Sequence, residues 1–480
     1  MRRLPQPTDT MRISQRASRI APFYVMEMAK SAKQLADQVK QTDSPMLFLN
    51  IGEPDFTAPP LVQEAAIRAI QDGRTAYTQA LGLDALRERI SDWYRTRFAV
   101  SVPARRIVVT AGASAALQLA CLALIESGDE VLMPDPCYPC NRQFVQAADG
   151  RAVLLPTTAE QRFQLSAAQV EEHWQAATRG VLLASPSNPT GTSVAMEELF
   201  NIHRFVNDKG GITMVDEIYL GLSHDPTYGQ TALAIDDQVI SINSFSKYFN
   251  MTGWRLGWLV VPEDLVAVIE RLAQNLFICP STVAQYAALA CFEPDSLSIY
   301  EDRRAAFKHR CDQFIPQLNA MGLNVPVMPD GAFYAWADCR QACERLGLAD
   351  SWAFAEHVMQ KAHVVITPGR DFSQHRPGDF VRMSFIMRYF PSQVPSISTL
   401  KLFLTFPKRS SNTPRATVLP LKYSSNLNSG LLFLNCSNFI DEEHCVTLKK
   451  IKNINNILRF LFKKFVIIFI NSIKNHLTSW

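Results

Sequence analysis

SINSFSKYFNMTGWRLGW, residues 241–258, places one lysine, Lys247, among small hydroxyl residues and follows it with Arg255 eight positions on. The apolar pair Val239 and Ile240 just before it has the character of a strand end. A lysine amine becomes a nucleophile near neutral pH only when desolvation or neighbouring cations lower its pKa, and its characteristic use is a Schiff base with a carbonyl. Ser244, Ser246 and Arg255 add two hydroxyl donors and a forked guanidinium, the residue types that hold a phosphate. Amine and phosphate site together point to pyridoxal phosphate. An isolated S-x-S-K is more often a solvated loop lysine beside a salt-bridging arginine, so the flanking sequence has to decide.

Upstream, from Arg106 to Ala184, β-branched runs alternate with helical stretches, the pattern of a doubly wound, mostly parallel sheet. Ile107 to Thr110 reads as a strand, residues 111–114 (AGAS) as a tight turn and residues 115–126 as an apolar helix. This order leaves backbone N–H groups around Gly112, Ala113 and Ser114 free at a helix N-terminus, where an anion is favoured. Small residues before a helix are nevertheless common in any α/β fold. Glu130 to Met133, Val181 to Ala184 and Ile212 to Val215 supply further strands, and the last of them runs into Asp216, with Tyr219 three residues on. A carboxylate at the carboxyl end of a parallel strand stands where such sheets bind ligands, and beside a pyridine nitrogen it would keep that nitrogen protonated. D-E-x-Y in that place can also be a helix cap. Residues 185–191, SPSNPTG, form a loop fixed by two prolines and a glycine that presents Asn188. Helical spacing predicts helices over 19–39, 61–72, 83–98, 263–275, 282–292 and 296–321, with short strands at 46–50 and 380–385.

With these motifs in this order, the chain from about Arg19 to about Phe385 resembles the class I/II aminotransferases, the fold type I enzymes that use pyridoxal phosphate. The resemblance implies an α/β fold: a large domain whose mostly parallel doubly wound sheet carries the cofactor, and a smaller α/β domain drawn from both ends of the similar region. On that plan residues 1–18 are a loose arm, 19–60 an N-terminal segment and part of the small domain, 61–295 the large domain and 296–387 the rest of the small one. It implies that Lys247 holds the cofactor covalently and then acts as base, and that Asp216 pairs with the pyridine nitrogen. Tyr219 and Asn188 would donate to the phenolic oxygen, and Tyr138 would stack on the ring. Gly112, Ala113, Ser114, Ser244, Ser246 and Arg255 would hold the phosphate, together with Tyr77 of a neighbouring subunit, so a homodimer is expected. Arg382, in FVRMSF, would grip the substrate α-carboxylate, a fork-to-fork geometry that lysine cannot reproduce. Gly52, in GEPDF, would let the backbone approach that carboxylate, and Asn188 would stand beside it.

A chain of 480 residues with 47% apolar and 19% charged residues is globular and long enough for more than one core. Its formal charge of +3 averages two unlike parts. From Arg388 onwards there are thirteen Lys/Arg against three Asp/Glu, which leaves the first 387 residues mildly acidic, with no nucleic-acid footprint. That last stretch also contains a single alanine and is crowded with Asn, Ser, Ile, Lys, Leu and Phe, a change of the kind a frameshift produces. Its most apolar part, Ile457 to Ile473, is interrupted by Arg459, Lys463 and Lys464 and falls short of a membrane span of about 20 apolar residues. The ten cysteines include one C-x-x-C, Cys137 to Cys140, with no second pair at metal spacing, so no metal site is expected. Residues after Met1 lack the apolar run of a secretory signal, and a cytoplasmic location follows.

The expected activity is transamination between an L-amino acid and a 2-oxo acid, by family habit 2-oxoglutarate, in a ping-pong cycle; aspartate- and alanine-type enzymes are the nearest classes. Elimination at a carbon–sulfur bond uses the same lysine, aspartate and arginine, and a product impaired by its altered C-terminus is a further alternative. Small residues at 113–115, where some aspartate-specific relatives carry a lysine, favour neutral or broad donors and leave aspartate open. Arg19 of the arm or a partner subunit is the expected source of any further cation.

Overall fold

The computed structural model describes residues 13–22, 24–39 and 46–386; the stretch from Arg388, whose composition changes so sharply, lies outside them. A two-residue strand, β1 (Leu47–Phe48), leads into two helices, Pro60–Gln71 and Asp84–Phe98. Then comes a seven-stranded sheet made of β2 (Ile107–Thr110), β3 (Glu130–Asp135), β4 (Arg151–Pro156), β5 (Thr178–Ala184), β6 (Ile212–Asp216), β7 (Ile240–Ser244) and β8 (Gly257–Val260). Their spatial order is β2-β8-β7-β6-β5-β3-β4. All neighbours are parallel except β8, which runs antiparallel to both β2 and β7. The expected doubly wound, mostly parallel sheet is therefore present, with one reversed strand that the sequence pattern did not reveal.

Burial explains why these strands read as continuous apolar runs rather than alternating ones. Residues of β2, β7 and β8 are buried throughout, as strands covered on both faces must be. Val109, Trp258 and Val260 face one apolar cluster, whereas Val108, Val131, Met133, Leu182, Met214 and Leu259 face another. Helices Ala113–Leu124 and Glu263–Leu276 cover the second face. The first cluster includes Tyr94, whose hydroxyl accepts a hydrogen bond from Trp258 Nε1 at 3.0 Å.

Beyond the sheet, the 27-residue helix Pro294–Ala320 leads to β9 (Tyr334–Asp338), β10 (Val364–Val365), β11 (Thr367–Pro368) and β12 (Phe380–Ser384). β11, β12 and β9 form an antiparallel sheet in that order. β10 pairs in parallel with β1, and Ser384 N donates to Leu49 O at 2.7 Å, so the N-terminal segment is bonded to the last described strand.

The helix expected over 19–39 begins later, at Tyr24, and the supposedly loose arm contains a helix of its own, Gln15–Arg19. Ser14 caps it, accepting from Ala17 N at 3.2 Å. Arg16 and Arg19 both bind Asp149, which draws that carboxyl below its usual range. No helix among the described residues is long and apolar enough to cross a membrane.

Candidate active site

A cavity of about 910 Å³ opens where the carboxyl ends of β5, β6 and β7 meet the three-stranded sheet. Its lining includes Gly52, Ala113, Ser114, Tyr138, Asn188, Asp216, Tyr219, Ser244, Ser246, Lys247, Arg255 and Arg382, so all but two of the sequence-predicted site residues reach one space. Gly112 is the first exception and stands immediately behind it, as the cap residue of helix Ala113–Leu124. Tyr77 is the second: it lies on the surface, 79% exposed, in a different groove beside Thr282 and Tyr286.

The turn at Gly112 shows why this position suits glycine. Its φ is +85°, and a Cβ there would sit 2.6 Å from Arg255 Nη2. Arg255 itself occupies the left-handed region at φ +54°, unusual for a side chain of its size. It is held there by a hydrogen bond from its Nη1 to Thr252 O at 3.0 Å. The strained backbone brings a guanidinium against the first turn of a 12-residue helix. Ser244 lies at the end of β7, where its Oγ accepts from Ser246 N at 3.0 Å and fixes the loop before Lys247. Helix N-terminus, two hydroxyls and arginine thus form a compact anion cradle.

Lys247 Nζ donates to Gly52 O at 2.6 Å and lies 5.6 Å from the centre of the Tyr219 ring. Burial lowers its pKa to about 8, assisted by the positive charges of Arg382 and Arg255 and opposed by Glu53 and Asp216. The free amine, which a nucleophile requires, is thereby far more accessible near neutral pH than in an exposed lysine. Asp216, 5% exposed, is pushed up to about 6 by burial, with hydrogen bonds from Asn141 Nδ2 and Ile218 N, both at 3.3 Å, pulling the other way. The next residue, Glu217, points away from the cavity and is bound by Thr231, Ala232 and Ser241. The two adjacent carboxylates are thus divided between ligand space and scaffold.

Arg382 is 3% exposed and has no carboxylate partner among the described residues. Its Nη1 donates to Asn188 Oδ1 at 3.0 Å, its Nη2 to Asn50 O at 2.6 Å and Thr367 Oγ1 at 3.4 Å, while Nε is buried without a partner. A buried guanidinium satisfied only by neutral oxygens is costly unless an anion joins it. Asn50, Asn141, Thr367 and Tyr334 carried no motif and escaped sequence reasoning. Each meets its partner only through the fold: Asn141 is 75 residues from Asp216, and Asn50 is 332 from Arg382.

These groups fit pyridoxal phosphate in kind: an anion cradle, a carboxylate at the end of β6, a buried amine, and an arginine with no carboxylate partner among the described residues, all lining one cavity. The Gly112 turn, which a Cβ would fill, is the most specific part of that fit.

The family model for aminotransferase class I and II matches residues 44–388. A valine–pyruvate aminotransferase of Mycobacterium tuberculosis is 35% identical over 378 residues, covering 78% of this chain and 94% of that protein. An aspartate aminotransferase of Thermotoga maritima is 32% identical, with the same coverage of both chains. The crystal structure of an aminotransferase from Mycobacterium tuberculosis superposes with a TM-score of 0.76 at 34% identity, covering 82% of this chain and 99% of that one.

Proposed function

The chain belongs to the class I and II aminotransferases, a pyridoxal phosphate-dependent family of fold type I, and from that premise we propose that it moves the amino group of a neutral L-amino acid to a 2-oxo acid, with 2-oxoglutarate as acceptor. The observation that carries this reading is the convergence of Lys247, Asp216 and Arg382 on one cavity. Ala113, Ser114, Ser244, Ser246 and Arg255 would hold the cofactor phosphate. Asp216 would face the pyridine nitrogen, Tyr138 the ring, and Asn188 and Tyr219 the phenolic oxygen.

When bound, pyridoxal phosphate supplies an electrophilic carbon for the substrate amine and a ring that accepts the electrons released at the substrate's α-carbon. Lys247 would hold the cofactor covalently, and its amine, when free, would move the proton at the substrate's α-carbon. Proton transfer by a positioned amine contributes about 10²- to 10⁴-fold. Asp216 would pair with the ring nitrogen and, as a carboxylate, keep it protonated. Arg382 binds the α-carboxylate through its fork, with Asn188 and Asn50 holding the guanidinium in plane.

Neutral donors are favoured by the charges around the cavity. Among the described residues its cationic lining is Lys247, Arg255 and Arg382, each with a role already, while Ala29, Ile51, Leu117, Phe144 and Ile218 supply apolar surface. Arg19, the expected further cation, is paired with Asp149 instead. Homodimerisation and a cytoplasmic location complete the proposal; the exposed Tyr77 is available to a second subunit. Mixing the pyridoxal phosphate-loaded protein with a panel of amino acids tests the assignment. Spectral conversion to the pyridoxamine form with alanine, valine or leucine supports it; conversion with aspartate alone contradicts the neutral class, and no conversion with any amino acid contradicts transamination.

A further inference from the structure

We propose that Tyr334 is a positioning residue that sets the direction of the Tyr219 hydrogen bond and seats the Arg382 guanidinium, linking the two halves of the pocket. Tyr334 is the first residue of β9, 1% exposed, and lines the cavity. Its hydroxyl lies 2.7 Å from that of Tyr219, the rings meeting edge to face with centroids 5.6 Å apart. Its ring face carries the Arg382 guanidinium at 4.6 Å, a cation–π distance.

The direction follows from counting protons. Each hydroxyl has one to give, and either can donate across the 2.7 Å contact. If Tyr219 donates to a ligand oxygen in the cavity, it must accept from Tyr334. A hydroxyl that accepts one hydrogen bond becomes a better donor in the next, so the chain from Tyr334 to Tyr219 to ligand strengthens the last bond. Room for this arrangement is reserved at Gly52, where a Cβ would fall 2.6 Å from Tyr334 Oη. Burial keeps both hydroxyls protonated, raising each above the usual tyrosine range. The charged and titratable groups facing Tyr219 are Tyr334, Tyr138, Arg382 and Lys247, so a change confined to the Tyr334 hydroxyl is separable from them.

This inference rests on the reading that Tyr219 faces the cofactor's phenolic oxygen, and the test separates the two. A donor at that oxygen favours its anionic form, so weakening the donor moves the visible absorbance transition of the loaded protein to higher pH. Tyr219→Phe should shift that transition upward, and Tyr334→Phe should shift it in the same direction by a smaller amount, about half a pH unit. Combined with Tyr219→Phe, Tyr334→Phe should add nothing further. Because phenylalanine retains the ring, the donor KM should change less than about threefold in Tyr334→Phe, whereas Tyr334→Leu should raise it more than about fivefold. If Tyr219→Phe shifts the transition and Tyr334→Phe does not, the positioning role is overturned and the pocket assignment stands. If Tyr219→Phe itself has no effect, both fall. Gly52→Ala, which crowds the Tyr334 hydroxyl without removing it, should reproduce the direction of the Tyr334→Phe shift; an unchanged transition there contradicts the proposed geometry.

Discussion

The pocket has two unlike halves. On the side of the seven-stranded sheet, opposite charges face the same space: Asp216 and Lys247 each favour the other's charged form while Arg255 disfavours the charged Lys247, and their loops are tied by bonds such as Ser246 N to Ser244 Oγ. On the side of the three-stranded sheet a lone cation, Arg382, is buried among neutral oxygens and aromatic rings. Under the proposed function the first half would carry the chemistry and the second, a buried guanidinium without a carboxylate, would capture the substrate. Substitutions in the two halves should then have different signatures.

The largest effect is expected from Lys247→Ala, which should cost at least about 10²- to 10⁴-fold in the half-reaction rate while the fold remains intact, measured by single-turnover absorbance. Next, Arg382→Lys should lower kcat/KM for the amino donor roughly 30- to 100-fold through the lost carboxylate fork, with cofactor affinity unchanged. Equal losses of cofactor and donor affinity in Arg382→Lys would erase the distinction between the halves.

A smaller, pH-dependent effect should appear in the cofactor-free protein. The Asp216 carboxyl sits at about 6 when folded, above its ordinary range near 3.9, so ionising it costs folding energy. That penalty is complete above pH 6 and absent below the unfolded value. Asp216→Asn should accordingly raise the melting temperature at pH 8 by a few degrees and lose this advantage near pH 4, as followed by thermal unfolding without cofactor. The mildest expectation concerns Lys247, whose amine titrates at about 8: the rate of pyridoxal phosphate capture should climb with pH and level off above that value. A rate independent of pH from 6 to 9 would mean that the amine is not the attacking group.

The two halves also differed in how far sequence alone exposed them. Lys247, Asp216 and the Gly112 turn lie in or beside strand ends, where ligand contact is one local reading among others, and the order of the motifs together exposed them. Arg382 was legible only through the family resemblance, since an arginine alternating with apolar residues is ordinarily solvent-facing. Asn50, Asn141, Thr367 and Tyr334 act across long separations, and no local pattern marks them. Strand β8 was hidden because its first residue, Gly257, falls inside the motif that reads as a loop after Lys247. The helix Gln15–Arg19 was missed because its two arginines and short length suggest an arm; its Ser14 cap and the partner Asp149, 130 residues away from Arg19, stabilise it.

The most direct test of the account is to load the protein with pyridoxal phosphate, reduce it with borohydride and map the modified peptide by mass spectrometry. The account predicts a single phosphopyridoxyl group on Lys247, absent in Lys247→Ala. Attachment at a different lysine, or an adduct that persists in Lys247→Ala, would contradict it.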